Sequence, residues 1–335
     1  VVRKKFSIVG CEHAHIQIFI REMLALGYEC AGIYEPENAK LAKSVSESFQ
    51  VPIVDDWERL LAQDVQIVGS SAINSEKIDW IERCEQLGKP IMIDKPAVVN
   101  KSDCDRLEAV LSRGKIAVGM LLTERFHPAV YTLKQQIDNG VLGQLVSIGM
   151  RKPHLLKPAE RPKWFFSKEQ CGGIIIDLLI HDFDLLRWFT GQEIVQSDGY
   201  VAKHILPEYP GFYDAASLQV LMENKLVAQL YADWHTPDKS WTWGDGRIFV
   251  TGTAGFAELR LSGDPFVKRE SLMLRTTDLE APLQVTLEMP PVTITEDFLN
   301  RTDGKPSILT GEDIMLATKA AIGADEQARI IRTAE

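Results

Sequence analysis

Over the first third of the chain, short apolar runs alternate with amphipathic stretches. FSIVG (6–10), YECAGIYE (28–35), VPIV (51–54), VQIVGS (65–70), PIMID (90–94) and KIAVGM (115–120) have the length and continuous apolarity of strands buried on both faces. Between them, helical periodicity runs from about His13 to Leu26, with Ile16, Ile20, Met23 and Leu24 inward and Gly27 as C-cap. Further helical patterns fall near 37–48, 56–62, 76–87 and 102–112. Strands and helices in regular alternation predict a doubly wound parallel sheet.

The pattern then changes. A helix is expected near 128–139, a strand at LVSIGM, a Pro-rich loop over 152–163, and alternating strands at SLQVLM, LVAQLYADW and RIFVTG. The last stretch, GEDIMLATKAAIGADEQARIIR (311–332), reads as a closing amphipathic helix. The fold class expected is α/β: an N-terminal doubly wound parallel sheet (1–122) plus a C-terminal α+β domain (123–335) with a large, mostly antiparallel open sheet.

One stretch breaks the second pattern. GGIIIDLLIHDFD, Gly172 to Asp184, is apolar apart from Asp177, His181 and Asp184, whose steps of four and three place them on one stripe of a helix. Ionisable groups inside an apolar helix are costly unless they are paired, hydrogen-bonded or facing a ligand.

Composition narrows the classes. With 335 residues, 45% of them hydrophobic, the chain can form two cores. A net charge of −10 without any basic run disfavours nucleic acid or an anionic membrane as partner and leaves a small molecule. The five cysteines are dispersed with no CxxC pair, which argues against a disulfide framework or zinc cluster and for a reducing compartment. No membrane-length apolar run exists, and the opening VVRKKFSIVG reads as a strand rather than a signal peptide. A cytoplasmic location is expected.

Gly10, directly after the first strand, suits a tight turn into a helix whose N-terminal N–H groups hold a pyrophosphate. The full G-x-G-x-x-G pattern is eroded, with Glu12 and His15 in place of glycine, so phosphate binding and a plain helix start both remain open for His13 and His15. Glu35, ending the second strand, is placed either to accept both adenosine ribose hydroxyls or to open a turn as a surface acid. In the ribose role its charge would repel a 2′-phosphate, so NAD is preferred over NADP. Asp94-Lys95-Pro96 closes the strand PIMID at its carboxyl end, where open α/β sheets place ligands.

Taken together, the stretches resemble the Gfo/Idh/MocA family of nicotinamide-dependent oxidoreductases. Asn74 in Ser71-Ala72-Ile73-Asn74 stands in the family's T-P-N segment, and Asp94-Lys95-Pro96 in its E-K-P motif. Arg125-Phe126-His127-Pro128 matches R-F-x-P, and Gly172-Gly173 with Asp177, His181 and Asp184 matches G-G-x-x-x-D-x-x-x-H-x-x-D. The resemblance spans essentially the whole chain. It implies a Rossmann domain that binds NAD through Gly10, Glu12, His13, His15, Glu35, Asn74, Asp94 and Lys95. The second domain is then expected to form a homodimer or homotetramer through its open sheet. Lys95, Asp177 and His181 are the implied catalytic residues.

Independent chemistry agrees with that trio. Oxidising a secondary alcohol needs a base near neutral pKa, which suits His181, while Lys95 stabilises developing alkoxide and Asp177 orients a hydroxyl or the imidazole. Asp184 is expected to hold its own helix to neighbouring backbone. Arg125, Lys152, His154 and Trp164 are candidates to line a sugar site together with Asp177 and His181; for the loop KPHLLKPAERPKWFF the alternative is a surface segment anchored by its aromatic residues.

The expected function is hydride transfer between NAD(H) and a sugar or cyclitol. Competing readings are a silent NAD-binding regulatory protein, an NAD-assisted sugar elimination or hydrolysis, and a metalloenzyme using Asp177, His181 and Asp184. No second His/Asp/Glu cluster of ligand spacing stands out in the sequence, so no metal is expected.

Overall fold

The computed structural model describes residues 4–62 and 64–331. Val1, Val2 and Arg3 of the expected opening strand lie outside the described residues. Two compact units emerge. The first holds the chain up to Leu122 with Glu169–Gly172 and Val292–Lys319; the second holds Thr123–Lys168, Gly173–Pro291 and the chain from Ala320.

In the first unit, β1 (Lys5–Cys11), β2 (Glu29–Tyr34), β3 (Ile67–Ser71), β4 (Ile91–Ile93) and β5 (Val118–Met120) form a parallel sheet of order β2-β1-β3-β4-β5. Helices α1 (Ile16–Ala25), α2 (Ala39–Phe49), α3 (Trp57–Ala62), α4 (Lys77–Gln86) and α5 (Lys101–Arg113) connect these strands. The stretch VPIV adds no full strand. It meets β2 through one bridge, Ile33 with Ile53, because Pro52 has no N–H to give and only its carbonyl is used, by the N–H of Ile33 at 2.9 Å. The helix expected from His13 begins at Ile16; residues 13–15 form a turn, with the Gln17 N–H bonded three residues back to Ala14 O at 3.1 Å.

In the second unit, α6 (Pro128–Asp138), the short α7 (Lys168–Cys171), which passes into the first unit's segment, α8 (Ile174–Leu178) and α9 (Ile180–Thr190) precede most of the sheet. Strands β6 (Leu145–Pro153), β7 (Ile194–Ala202), β8 (Ala215–Met222), β9 (Val227–Asp233), β10 (Arg247–Gly252), β11 (Gly255–Arg260), β12 (Leu272–Thr277) and β13 (Leu283–Val285) come next; α10 (Ile294–Thr302) and most of α11 (Gly311–Gln327) then belong to the first unit, and β14 (Arg329–Ile331) returns to the second. The sheet order is β13-β12-β11-β10-β6-β9-β8-β7-β14. It is antiparallel except where β6 meets β9 and β14 meets β7. The end of the expected closing helix is therefore a strand.

Alternation divides the two faces of this sheet. Ile148, Met150, Leu218, Val220, Ala228 and Leu230 are buried on the side where α8 and α9 pack. The opposite side pairs Leu221 with Val227 and Gln219 with Gln229 across β8 and β9, and Arg151 lies over the Tyr231 ring at 5.1 Å.

Candidate active site

In the first unit the nucleotide-side residues gather at the carboxyl ends of the strands. Gly10 has φ +79°, and a Cβ there would sit 2.5 Å from the Ala72 Cβ, so glycine is required by the close approach of β1 to the end of β3. Glu12 is buried, and its carboxylate lies 3.4 Å from Asn38 Nδ2. The acid that threatened a phosphate is thus turned inward. Glu35 accepts hydrogen bonds from three backbone N–H groups: Cys11 on Oε2, and Glu37 at 2.7 Å and Asn38 at 3.1 Å on Oε1. It is neither a plain surface acid nor a group reserved for ribose, although a carboxylate has about four acceptor positions and Oε2 retains capacity. Burial, then the charges of Glu35 and Glu12, push the Cys11 thiol up to about 12.

Asp94, at the end of β4, is buried and straddled by two imidazoles: His13 Nδ1 stands 3.0 Å from Oδ2 and His15 Nδ1 3.2 Å from Oδ1. Burial opposes its ionisation, but the imidazoles outweigh burial and hold the carboxyl well below the usual range. Burial, reinforced by His15, lowers His13 to about 4. Asp94 therefore holds both histidines in place.

Asn74 is committed at both ends: Nδ2 donates to Cys171 O at 3.0 Å and Oδ1 accepts from Lys77 Nζ at 2.8 Å. Lys77, fully buried, also donates to the carbonyls of Asp94 at 2.9 Å, Pro96 at 3.1 Å and Lys95 at 3.3 Å. This ammonium fixes the turn that carries Lys95, whose peptide bond to Pro96 is cis. Sequence reasoning missed Lys77. The available signal was a lysine in the otherwise apolar, inward-facing register of a helix, beside Ile78 and Ile81. Lys95 itself is largely buried.

In the second unit the stripe is split. Asp177 belongs to α8 and His181 to α9, with Leu179 at the junction, and both side chains are buried. Gly173, at φ +85°, starts α8 where a Cβ would lie 2.8 Å from Lys168 Nζ. Asp184 has a structural role whose main partner is a side chain distant in sequence. It receives Arg125 through two bonds, Nε at 2.8 Å and Nη2 at 2.7 Å, with both side chains about 2% exposed. That pairing corrects Arg125 as well: the guanidinium is buried against Asp184 and over the Trp188 ring at 5.3 Å, a structural tie between 123–126 and α9.

Lys152 is likewise not on a presented loop. It lies on the buried face of β6, its ammonium against Glu124 Oε1 and 3.5 Å from Asp182 Oδ1. Glu124 and Asp182, neither selected from the sequence, share this one ammonium. Burial opposes ionisation of Glu124, but Lys152, then His181, outweigh it and hold the carboxyl at about 2. Burial, opposed by Lys152 and aided by Glu124, pushes Asp182 up to about 7. Oδ2 of Asp182 and Oε2 of Glu124 are buried without a hydrogen-bond partner. Glu124 thus favours a protonated His181, and Asp182, the next residue in the chain, titrates near neutrality.

The loop after β6 takes the aromatic-anchor form. Trp164 is buried edge-on to Phe165 at 6.2 Å, and Phe165 meets Trp234 at 5.3 Å, so Trp164 anchors the loop and is not a presented sugar platform. His154 remains part-exposed, edge-on to Trp234 at 5.6 Å.

The expectation of no metal-ligand cluster is overturned in form. Two sets of two histidines and one aspartate come together among the described residues: His13, His15 and Asp94, and His204, Asp214 and His235. Neither includes Asp177, His181 or Asp184.

Comparison with known proteins gives a consistent set of likenesses. Residues 4–120 match a model described as an oxidoreductase family with an NAD-binding Rossmann fold, and residues 130–258 match the GFO/IDH/MocA C-terminal domain. The myo-inositol dehydrogenase Hyg17 of Streptomyces leeuwenhoekii is 24% identical over 233 residues, 68% of each chain. Inositol 2-dehydrogenase 2 of Saccharopolyspora erythraea is 22% identical over 206 residues, 61% of this chain and 58% of that one. The chain thus spans about three-fifths to two-thirds of the length of these curated relatives. A candidate oxidoreductase from Erwinia carotovora atroseptica has the same fold at TM-score 0.88, with 23% identity over 98% of this chain and 100% of that one.

Proposed function

The chain belongs to the Gfo/Idh/MocA family of NAD-binding oxidoreductases, and from that premise we propose that it oxidises a secondary alcohol of a sugar or cyclitol, or reduces the matching ketone, with NAD as cofactor. Both curated relatives described above carry inositol dehydrogenase names, which supports this substrate class.

The first unit's residues fit the cofactor. Gly10 at φ +79° supplies the turn, Glu12 is folded inward, and Glu35 keeps one acceptor position for a ribose hydroxyl. Preference for NAD over NADP follows from charge. Burial, then Glu37, Asp79 and Glu35, push the Glu76 carboxyl up, so a 2′-phosphate near Glu35 would enter a field already crowded with carboxylates.

Bound NAD supplies the hydride acceptor or donor. His181 takes the hydroxyl proton, and the negative Glu124 nearby favours the imidazolium that forms. Lys95, held in direction by the Lys77 clamp, donates to the alcohol oxygen as alkoxide character grows. Asp177, one turn before His181, orients a substrate hydroxyl. Asp182, pushed up to about 7 by burial against the pull of Lys152, adds a second carboxyl to the buried group beside Glu124. The observation that carries the reading is the pair Asp177 and His181, buried in an apolar helical segment and backed by the Glu124, Lys152 and Asp182 group.

The outer face of the second unit's sheet, with Val227, Tyr200 and Phe256 exposed among Gln and Arg, suits a homodimer or homotetramer contact. The test of function is mass spectrometry of the purified protein for retained cofactor, then a sugar and polyol panel followed by appearance of NADH. Turnover of at least one cyclitol or sugar with NAD is expected; NAD binding without turnover of any member would favour a regulatory role.

A further inference from the structure

The second unit holds a cluster that the dehydrogenase chemistry does not use. Asp214, fully buried just ahead of β8, has its two oxygens in different employment. Oδ2 accepts the backbone N–H of His204 at 2.6 Å and of Ile205 at 2.9 Å. Oδ1 meets two imidazole nitrogens at once, His204 Nδ1 at 2.8 Å and His235 Nε2 at 3.0 Å. The two side chains are 52% and 40% exposed, so this oxygen and both nitrogens converge at a place open to solvent on one side.

The supports are rigid. Lys203 donates to the carbonyls of Leu206 at 2.7 Å, Tyr209 at 2.7 Å and Phe212 at 2.9 Å, which folds the β7–β8 connection into place. The His235 N–H donates to Asp233 Oδ1 at 2.8 Å, which sets the turn after β9. Outer hydrogen bonds of this kind orient a ligand set before the ion arrives.

The other two-histidine cluster is built differently. There each imidazole takes its own oxygen of Asp94, an ordinary hydrogen-bond pattern that satisfies all three groups. At Asp214 one oxygen is shared, and the three donor atoms lie within 4.8 Å of one another. Around a tetrahedral ion with bonds of ~2.0–2.1 Å, ligand atoms stand ~3.3 Å apart, so the two N···O distances need to widen by only a few tenths of an ångström.

We propose that His204 Nδ1, Asp214 Oδ1 and His235 Nε2 form a site for a divalent transition-metal ion of the zinc class, with water in the remaining position. Two imidazoles and one carboxylate suit zinc and its neighbours and not magnesium or calcium, which require oxygen ligands. The ion would clasp the β7–β8 connection to the turn after β9. Those segments carry Phe212 and Trp234, which pack on Phe165 at 6.2 and 5.3 Å, and Tyr209, stacked on Phe166 at 4.5 Å. The clasp therefore stiffens the aromatic anchor of the loop after β6. It stands independently of the dehydrogenase reading.

The test uses the full chain stripped with chelator and titrated with zinc by calorimetry, with cobalt(II) as a visible probe. One zinc per chain is expected, with Tm raised by a few degrees at saturating metal and the intense visible bands of a tetrahedral cobalt site. Affinity should fall as pH drops below about 6, because ligating imidazoles must be deprotonated. His204→Gln with His235→Gln should abolish binding, His235→Gln alone should weaken it at least about tenfold, and His13→Gln with His15→Gln should leave it intact. Both imidazoles are part-exposed, so these variants keep the core. No binding by wild type, binding that survives loss of His204 and His235, or binding lost with His13 and His15 would each overturn the assignment.

Discussion

The turn after β1 and the α8–α9 segment handle buried charge in opposite ways. In the first, acids are met by backbone N–H groups and imidazoles: Glu35 takes backbone N–H groups, and Asp94 takes two imidazoles. In the second, charges answer charges: Arg125 with Asp184, and Lys152 with both Glu124 and Asp182. The first arrangement fixes backbone shape and leaves an acceptor available to a bound nucleotide. The second leaves an excess carboxyl, Asp182, sharing the Lys152 ammonium with Glu124.

If this contrast is right, single substitutions separate the two regions. The largest effect is expected at Lys95. Lys95→Met should lower turnover by about 10²-fold or more with NAD affinity little changed, because the ammonium is assigned to the developing alkoxide. Steady-state kinetics with cofactor titration checks it; loss of NAD binding of the same size would make Lys95 a cofactor residue only.

Next is the buried pair of the second unit. Asp184→Asn strands the Arg125 guanidinium in a dry site, and removal of one member of such a pair costs about 3–5 kcal/mol. Denaturant melts should show that loss while kcat per folded molecule stays near wild type. An unchanged midpoint would contradict that structural role.

A smaller effect is expected at Glu35. Glu35→Gln keeps an acceptor for the Glu37 and Asn38 N–H groups but removes the charge, so NAD should weaken by about tenfold or less while NADP improves. Parallel titration of both cofactors reads the ratio, and a wild-type preference for NADP would overturn the ribose assignment.

The smallest is a pH slope. The folded pKa of Asp182, about 7, lies above the unfolded value of ~3.9, so its contribution to stability is complete below pH ~4 and is lost as pH rises toward 7. Asp182→Asn should lack that decline. Melting curves from pH 5 to 8 should therefore show wild type losing ground to the variant as pH rises; parallel curves would mean that the carboxyl titrates at its ordinary value.

Much of this architecture was legible because its signals are local. The strands of the first sheet are continuous apolar runs, and those of the second alternate, as at β8 and β9, where every second residue is buried. Two departures from the expected elements have physical reasons. Pro52 reduced an apolar run to one bridge, and β14 has three exposed residues, so no burial pattern marks it. Asp177 and His181 were singled out by local spacing, and Lys95 by its place at a strand end. What spacing could not show was pairing across the chain. Arg125 and Asp184 are 59 residues apart, Lys152 and Glu124 28, and His15 and Asp94 79. Such distant pairs turned Arg125, Lys152 and Asp94 from expected ligand contacts into supports for the residues beside them.

The most direct test of the central claim, that His181 is the base of an NAD-dependent alcohol oxidation, is the turnover of His181→Asn measured alongside its melting temperature and NAD affinity on the substrate found in the panel. The account predicts a fall in turnover of about 10²-fold or more, with stability and NAD binding close to wild type. A variant that melts early yet keeps its activity per folded molecule would contradict it and make the α8–α9 segment a buried polar network with no part in the chemistry.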